Sequence, residues 1–549
     1  MGVIRILLSL VSLVFKALDS VGILWDARLR LSEFIYGKHG VTVRGPTKRI
    51  LKLPACVIAE YIKKRKLTCV EVIEAFRDRI LEVNPILNAV VGDRFDDASE
   101  EAQHIDQVLD SSDINLNQEK SDLLSKPLLG VPITVKESIA CEGFTNSAGL
   151  VDRKDKIASE DAAVVKNLRN AGAIPIAVTN CSELCMWWET TNNVYGRTNN
   201  PYETSKIAGG SSGGEGAIIS AAGSVCGIGS DVGGSVRMPA FFNGIFGHKP
   251  SPSVVPNQGH FPQGSSEAFD EYLIMGPLCR YADDLIPMLK AMAGPTAYEL
   301  KLDGEVDLSA IKVYTISDGE YPFLTSPVDT DLLMAQEQVC SFLQERFGAT
   351  VEDAHMTLFR YSPLIWSAMI LSAESNKITS QFLQRESGSV SMNPFVEIFK
   401  YLLGYSKYHY VTLAVAGIEH LRNPLPHCLP DVSSRFVQMG LKLREQIQAL
   451  LGSNGILLFP SHPNTALSHN RPFLAPLNFS YTSIFNVLHL PVTQCPMGLD
   501  KNGLPLGIQI AAARNNDRLS IAVAKQLEHQ FGGWRDWYPG KTSEDKKND

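Results

Sequence analysis

The sequence lacks the patterns that mark several common classes of protein. It has no basic stripe, and its formal net charge of −8 argues against a nucleic-acid-binding surface. Its 10 cysteines are scattered, without the paired spacing of a metal site. The nearest pair, Cys181 and Cys185, is predicted to share one helix face, with no further His or Cys ligand at a suitable spacing. We therefore expect buried thiols in a reducing environment, and neither a metal ion nor another cofactor.

The sequence also has no uninterrupted apolar run of about 20 residues, the length that a membrane-spanning helix needs. The nearest candidate is residues 6–15, which are largely apolar and lie between Arg5 and Lys16. A membrane anchor, a secretory signal peptide and a core helix all fit this segment, although no small-residue cleavage site follows it. We expect residues 1–45 to attach the protein to an intracellular membrane or lipid droplet, as an uncleaved transmembrane or re-entrant anchor.

No internal repeat and no second domain can be recognised. From about residue 50 onwards, helical stretches alternate with short apolar runs, which is typical of an α/β fold whose sheet is covered on both faces. One helix is predicted to begin at a capping box formed by Thr68 and Glu71 and to stop at Asn84–Pro85. The strand candidates share a short apolar composition and lie at residues 130–135, 173–178, 455–460 and 505–511.

Two further segments have less informative sequences. Residues 295–450 are rich in predicted helix, and we interpret them as an insertion in the main fold or a lid over its core. Residues 538–549 form a charged tail that is predicted to be disordered.

A first glycine-serine cluster, GGSSG at residues 209–213, matches the G-x-S-x-G nucleophile elbow of esterases. The elbow requires a strand that runs directly into the serine. The preceding NPYETSKIA is polar and contains proline, so it predicts a strand poorly. A phosphate cradle is also a weak interpretation, because no lysine follows at the P-loop spacing.

A second cluster, GSDVGGSVRMPA, contains Gly233 and Gly234 immediately before Ser235. Successive glycines allow a tight nest of inward-facing N–H groups, which is the form of an oxyanion hole beside a nucleophile. We interpret the flanking Asp231 and Arg237 as a charge pair that holds this loop, in preference to a direct substrate contact.

A serine nucleophile needs a base, and three residues are candidates. His248 and His260 lie close to this cluster in the sequence. Lys136 ends the apolar run of LGVPITVKES, and burial there would disfavour its ammonium form, so that the amine could act as a neutral base.

Taken in order, GVPITVKES, GGSSGGEGA and SDVGGSVRMPA resemble the amidase-signature family, and the resemblance extends from about residue 50 to 535. Members of this family hydrolyse carboxamides through a Ser–Ser–Lys triad. The resemblance therefore implies an amidase domain over residues 46–537, built around a central mixed, twisted sheet. It also implies that Ser235 is the nucleophile, Ser211 the proton relay and Lys136 the base, with a cis peptide at Gly210–Ser211.

The same resemblance implies further site residues. The N–H groups of Val232, Gly233, Gly234 and Ser235 are expected to form the oxyanion hole. Cys185, Met186 and Trp187 are expected to line the pocket that binds the acyl chain of the substrate.

Within the family, TNCSELCMWWE resembles the membrane-associated branch that acts on fatty-acid amides. The expected activity is hydrolysis of fatty-acid primary amides and N-acylethanolamines to a free fatty acid and ammonia or an amine. The expected partners are a lipid amide and a membrane, and the chain is expected to be able to form a homodimer. The alternatives are an amidase of other small carboxamides, an esterase that uses Ser211, and a scaffold or amidotransferase subunit that requires a partner.

Overall fold

The computed structural model describes residues 40–264, 266–316, 321–373, 393–422 and 430–534. The predicted N-terminal anchor lies almost entirely outside these residues, and the charged tail lies wholly outside them. Among the residues that are described, no helix is both long enough and apolar enough to span a bilayer.

A mixed sheet of 11 strands, in the order β1-β3-β2-β6-β8-β7-β12-β13-β11-β9-β10, organises the described chain. The thirteen strands are β1 (Val90–Asp93), β2 (Pro132–Lys136), β3 (Ile174–Thr179), β4 (Thr191–Asn192), β5 (Gly196–Arg197), β6 (Cys226–Asp231), β7 (Phe246–Lys249), β8 (Ile274–Cys279), β9 (Lys312–Thr315), β10 (Thr350–Asp353), β11 (Gly455–Pro460), β12 (Val492–Leu499) and β13 (Pro505–Ala512). Strands β4 and β5 form a separate ribbon. All four predicted strands are present, with bounds that shift by no more than about two residues.

Helices cover both faces of this sheet. Every residue of β3, β6, β8 and β11 is buried, and successive side chains of a strand face opposite sides, so neither face is open to solvent. The described helices are α1 (Ala55–Lys63), α2 (Cys69–Leu87), α3 (Phe95–Asp110), α4 (Asn117–Ser125), α5 (Ala163–Asn170), α6 (Gly213–Ser220), α7 (Arg237–Phe242), α8 (Glu267–Asp270), α9 (Leu285–Ala293), α10 (Thr330–Phe347), α11 (Ser362–Ala373), α12 (Pro394–Leu402), α13 (Tyr410–Arg422), α14 (Pro430–Leu451), α15 (Ser480–Val487) and α16 (Asp517–Phe531). The predicted α/β architecture is confirmed.

Helix α2 begins as predicted but ends later. The capping box of Thr68 and Glu71 is present in both directions. The predicted stop at Asn84–Pro85 is wrong, because the helix continues to Leu87. Pro85 lies in the last turn, where few intrahelical bonds remain to be lost. The Asn84 side chain accepts hydrogen bonds from the amides that follow the helix, at 2.8 Å, and so ties the chain after the helix to its last turn.

The prediction that Cys181 and Cys185 share a helix face is also wrong. Only one short 3₁₀ turn, Glu183–Cys185, forms here, and Leu184 and Cys185 have φ values of 52° and 58°. These left-handed conformations end any α-helix. The turn is held because the Leu184 amide donates to the Ala148 carbonyl at 2.8 Å.

The helix-rich region 295–450 is more than an insertion or a lid. Its strands β9 and β10 extend the central sheet, where β9 pairs in parallel with both β10 and β11. Helices α11 and α14 pack with α15 in a second hydrophobic core that includes Ile365, Leu443 and Phe485. The region is therefore an integral part of the fold.

Candidate active site

The candidate site lies at the carboxyl ends of three adjacent parallel strands, β3, β2 and β6. Lys136 is the last residue of β2 and pairs with Thr179, the last residue of β3. Strand β6 pairs in parallel with β2 on its other side and ends at Asp231. Because the carboxyl ends of parallel strands meet at one edge of a sheet, the segments that follow these strands converge there.

Lys136 is fully buried and is held by two hydroxyl groups. Its Nζ lies within hydrogen-bond distance of Ser211 Oγ, at 2.7 Å, and of Ser230 Oγ, at 2.9 Å. The carboxylate of the next residue, Glu137, instead accepts from the Ser147 and Ala148 amides. Within the ranges that the structure describes, no carboxylate forms an ion pair with Lys136, so its polar partners are neutral.

Ser211 is placed beside Lys136 by a close-packed glycine segment. The Gly210–Ser211 peptide is cis, as the family resemblance implied, and helix α6 begins two residues after Ser211. A Cβ at Gly214 would lie 2.5 Å from the Asn180 backbone nitrogen, so only glycine allows this approach. Between the end of β5 and the start of α6, the described chain contains only isolated bridges and no strand. The nucleophile elbow therefore lacks the strand that it requires.

An internal ion pair holds the loop that carries Ser235. The Asp231 carboxylate accepts from the Gly234 amide at 2.7 Å and the Val236 amide at 3.1 Å. Arg237 donates to both oxygens of this carboxylate, at 3.1 and 2.9 Å, and both side chains are fully buried. The predicted charge pair is confirmed.

Two side chains outside this loop orient its peptide groups. Trp366 Nε1 donates to the Val232 carbonyl oxygen at 3.0 Å, and Thr482 Oγ1 donates to the Gly233 carbonyl oxygen at 2.7 Å. A trans peptide holds its C=O and N–H antiparallel, so the Gly233 N–H faces away from the Trp366 side chain. Gly234 has a φ of +116°, and a Cβ there would lie 2.0 Å from Thr482 Oγ1.

The four predicted oxyanion-hole amides differ in their partners. The Gly234 N–H already donates to Asp231. The N–H groups of Val232, Gly233 and Ser235 have no hydrogen-bond partner among the described residues. These three amides are therefore available to an external oxygen atom, whereas the structure gives the fourth an internal acceptor.

A mostly apolar cavity of about 320 Å³ opens onto Ser211 and Ser235. All three residues predicted to bind the acyl chain, Cys185, Met186 and Trp187, line it. The remaining lining residues flank these three or come from later segments of the chain: Leu184, Trp188, Ser230, Val232, Gly233, Met238, His260, Pro262, Phe269, Leu273, Trp366, Ser367, Ile370, Leu371, Val415 and Phe479. An extended hydrocarbon chain would match this lining.

Cys181 and Cys185 share a hydrogen bond beside the cavity. This bond, together with the nearby Lys136 and His260, lowers the pKa of the Cys185 thiol despite its burial. The same bond and burial raise the pKa of the Cys181 thiol.

The two histidines considered as bases have different surroundings. His248 lies on β7 and contacts Thr493 and Asp517. His260 lines the cavity, and its Nε2 contacts Ser230 Oγ at 2.9 Å rather than either serine of the predicted triad. Neither histidine is therefore hydrogen-bonded to Ser211 or Ser235.

Three residues that line this site could not be predicted from the sequence. Ser230 is adjacent to Asp231 in the second glycine-serine cluster, and its position at a strand end was the one available signal. Trp366 belongs to the apolar stretch LIWSAMIL, and Phe479 precedes a buried helix. Nothing in either local sequence distinguishes these aromatic residues from ordinary core residues.

The family of the chain follows from comparison with known proteins. A family model described as Amidase matches residues 71–520. The chain belongs to the amidase family. This amidase is 46% identical over 509 residues to fatty-acid amide hydrolase 2-A of Danio rerio, covering 92% of this chain and 93% of that protein. It is also 46% identical over 499 residues to fatty-acid amide hydrolase 2 of Homo sapiens, covering 90% and 92% of the two chains.

A solved structure of 6-aminohexanoate cyclic dimer hydrolase matches the fold of this amidase. The TM-score is 0.72 at 21% identity, with 88% of this chain and 98% of that chain covered. The predicted amidase-signature fold and amidase class are confirmed.

Proposed function

We propose that this amidase is a membrane-associated hydrolase of fatty-acid primary amides and N-acylethanolamines. The observation that carries this proposal is the 2.7 Å bond from Lys136 to Ser211, at the end of an apolar cavity that Ser235 also lines. The names of the two relatives at 46% identity support a fatty acyl amide as the substrate. Residues 46–537 form the catalytic domain in this proposal.

The proposed acylation step begins with neutral Lys136. Ser235 transfers its hydroxyl proton to Ser211, which passes its own proton to the lysine amine, while Ser235 Oγ attacks the amide carbonyl carbon. The negative charge that develops on the carbonyl oxygen is stabilised by the nest of Val232, Gly233, Gly234 and Ser235. In this nest the N–H groups of Val232, Gly233 and Ser235 donate directly to the carbonyl oxygen. The Gly234 N–H donates to Asp231 and thereby holds the backbone of the nest in place.

Collapse of the tetrahedral intermediate breaks the C–N bond. Lys136 returns its proton through Ser211 to the leaving nitrogen, which departs as ammonia or a neutral amine. A water molecule then attacks the acyl ester on Ser235, and its proton takes the same route to Lys136 before returning to Ser235. A relay that works in both directions suits amides, since an unprotonated amide nitrogen is a very poor leaving group.

An exposed apolar patch supports membrane association. The patch is formed by residues of α12 and the turn after it: Phe395, Val396, Phe399, Leu402, Leu403 and Tyr405. On the same helix, Ile398 packs against the cluster that contains Leu184, a cavity-lining residue. An interfacial helix of this kind buries its apolar side chains in the lipid boundary.

The proposal is tested with detergent-solubilised full-length protein and a series of primary amides from acetamide to oleamide. We expect oleamide to have the highest kcat/KM. We expect Lys136→Ala, Ser211→Ala and Ser235→Ala each to lower kcat by roughly a thousandfold or more, because residues that act as a unit fail together. Ser224→Ala is the matched control, since it removes a buried serine hydroxyl that donates to Cys226 outside the cavity.

Three results would contradict parts of this proposal. A preference for acetamide would contradict the proposed lipid substrate but not the amidase activity. Full activity of Lys136→Ala, with Ser211→Ala inactive, would restore the esterase alternative. Absence of hydrolysis by the isolated chain, with activity restored by a partner subunit, would favour the amidotransferase alternative.

A further inference from the structure

Lys136 has a second hydrogen-bonded branch that the proposed acyl transfer does not use. One branch leads to Ser211, and the other leads through Ser230 to His260. Ser230 Oγ lies 2.9 Å from Lys136 Nζ and 2.9 Å from His260 Nε2. All three residues are at least nine-tenths buried. The lysine that we propose as the base is therefore connected to an imidazole through one hydroxyl group.

The direction of each hydrogen bond in this branch can be derived. His260 Nδ1 lies 2.8 Å from the Pro262 carbonyl oxygen, which can only accept, so Nδ1 carries a proton and donates it. In a neutral imidazole the other nitrogen is then an acceptor. Ser230 accordingly donates its hydroxyl proton to His260 Nε2, and Ser138 makes only a longer contact of 3.4 Å with that nitrogen.

This direction determines what Ser230 offers to Lys136. Because its only proton is given to His260, the Ser230 oxygen presents lone pairs to the lysine and accepts an N–H. A neutral amine has two N–H groups and one lone pair. With one N–H directed to Ser230, the amine is free to turn its lone pair, rather than its second N–H, to the Ser211 hydroxyl.

We propose that His260 is a positioning residue for Lys136. By accepting the hydrogen bond from the Ser230 hydroxyl, His260 keeps the Ser230 oxygen as an acceptor for the lysine, so that the lone pair of the amine faces Ser211. This role rests on the proposed function, in which Lys136 is the base.

The other titratable groups that face His260 are few. Lys136 on β2 faces it across Ser230. The Cys185 thiol, from the turn after β3, also faces the imidazole and interacts with the Cys181 thiol. The protein segments around His260 therefore bring one amine and one thiol to it, with no carboxylate bonded to the ring among the described residues.

The test uses full-length, detergent-solubilised protein and measures kcat and KM for oleamide between pH 5 and 10. His260→Phe keeps a planar ring but removes the acceptor, and we expect kcat to fall about tenfold, the effect of one lost hydrogen bond. His260→Gln restores a neutral acceptor. We expect it to recover most of kcat, which a loss of packing alone would not explain.

Ser230→Ala removes the same branch from its other end. We expect it to resemble His260→Phe, and we expect the double variant to be no slower than either single variant, because both changes remove one unit. Melting temperatures are recorded for all variants. If His260→Phe does not fold, the comparison of Ser230→Ala with His260→Gln decides the proposal.

The positioning role is overturned if His260→Phe retains the wild-type kcat, or if His260→Gln is as slow as His260→Phe. Lys136→Ala separates this result from failure of the proposed function. If Lys136→Ala is inactive, only the role of His260 is rejected. If Lys136→Ala retains activity, the base assignment fails, and the positioning role fails with it.

Discussion

At the residue scale, Asp231 is the acceptor that holds the nest before Ser235. Burial alone would raise the pKa of its carboxyl group above the ordinary value of 3.8, but Arg237 and several hydrogen bonds lower it to about 2. The folded-state pKa is therefore depressed. The stability that this group contributes is present above about pH 4 and is lost as the pH falls towards 2.

Arg237→Met tests this ion pair. The substitution leaves a buried carboxylate without its cation, so we expect the free energy of unfolding at pH 7 to fall by about 3–5 kcal/mol. The loss is measured by urea denaturation, and it should shrink as the pH is lowered to 3. Lys48→Met is the matched control, because it removes a cation from an exposed pair with Asp78 and should cost less than about 1 kcal/mol. Equal effects of the two substitutions would contradict this account.

At the scale of elements, one buried carboxyl group ties a helix to two strands of the site. Glu215 of α6 accepts from Thr134 of β2 at 2.7 Å and from Thr179 of β3 at 2.8 Å. Burial raises the pKa of Glu215 to about 8, although both hydroxyl groups act in the opposite direction. The folded protein therefore retains a proton that the unfolded chain has released at neutral pH.

Glu215→Gln should remove a pH dependence of stability. Because the folded-state pKa is raised, the wild-type free energy of unfolding falls as the pH rises towards 8, by about 1.4 kcal/mol per pH unit at most. We expect urea denaturation from pH 6 to 9 to show that the free energy of unfolding of the wild type falls relative to that of this variant up to about pH 8. Above about pH 8 the difference between the two should stay constant. Glu74→Gln, at an exposed position of α2, should run parallel to the wild type. Parallel curves for Glu215→Gln would show that Glu215 is ionised in the folded state.

At the scale of the whole molecule, a hydrophobic cluster connects the helix that carries the apolar patch to the cavity. Phe399 and Leu402 are 62% and 75% exposed, although neighbouring residues of α12 and α13 contribute to the apolar cluster beside the cavity. Large side chains that remain this exposed in a contiguous group mark an interaction surface. A lipid surface is the partner that our proposed substrate requires.

Phe399→Glu combined with Leu402→Glu tests the patch in the full-length protein. Burial of either side chain in lipid is worth about 1.5–3 kcal/mol, so we expect at least a tenfold weaker partition into phosphatidylcholine vesicles. Cosedimentation gives the bound fraction. Hydrolysis of oleamide presented in vesicles should fall in parallel, while hydrolysis of a water-soluble short amide should be retained.

Ile114→Glu, at another exposed apolar position, is the control. Unchanged partition of the double variant would assign membrane binding to other parts of the chain, such as residues 1–39.

Much of the architecture could be predicted because local sequence dominates it. The run GILLFP is apolar and short, and it forms β11 with the predicted bounds. The helix end after Pro85 could not be predicted, since the Asn84 side chain bonds to residues beyond the helix. Likewise, the turn at Cys185 depends on an amide-to-carbonyl bond to Ala148, more than 30 residues earlier.

The sequence by itself determined the amidase family, the α/β architecture and the short list of serines, glycines and lysine at the candidate site. Those features depend on the order and spacing of residues within continuous motifs. Only the tertiary structure decided that Ser230 and His260 form a second branch at Lys136, that Trp366 bonds to the Val232 carbonyl, and that the Gly234 amide is taken by Asp231. The first two contacts join segments far apart in the chain, and the third depends on the backbone conformation at Gly234. Hydrogen bonds of this kind are set by sheet register and loop geometry, which local sequence patterns do not specify.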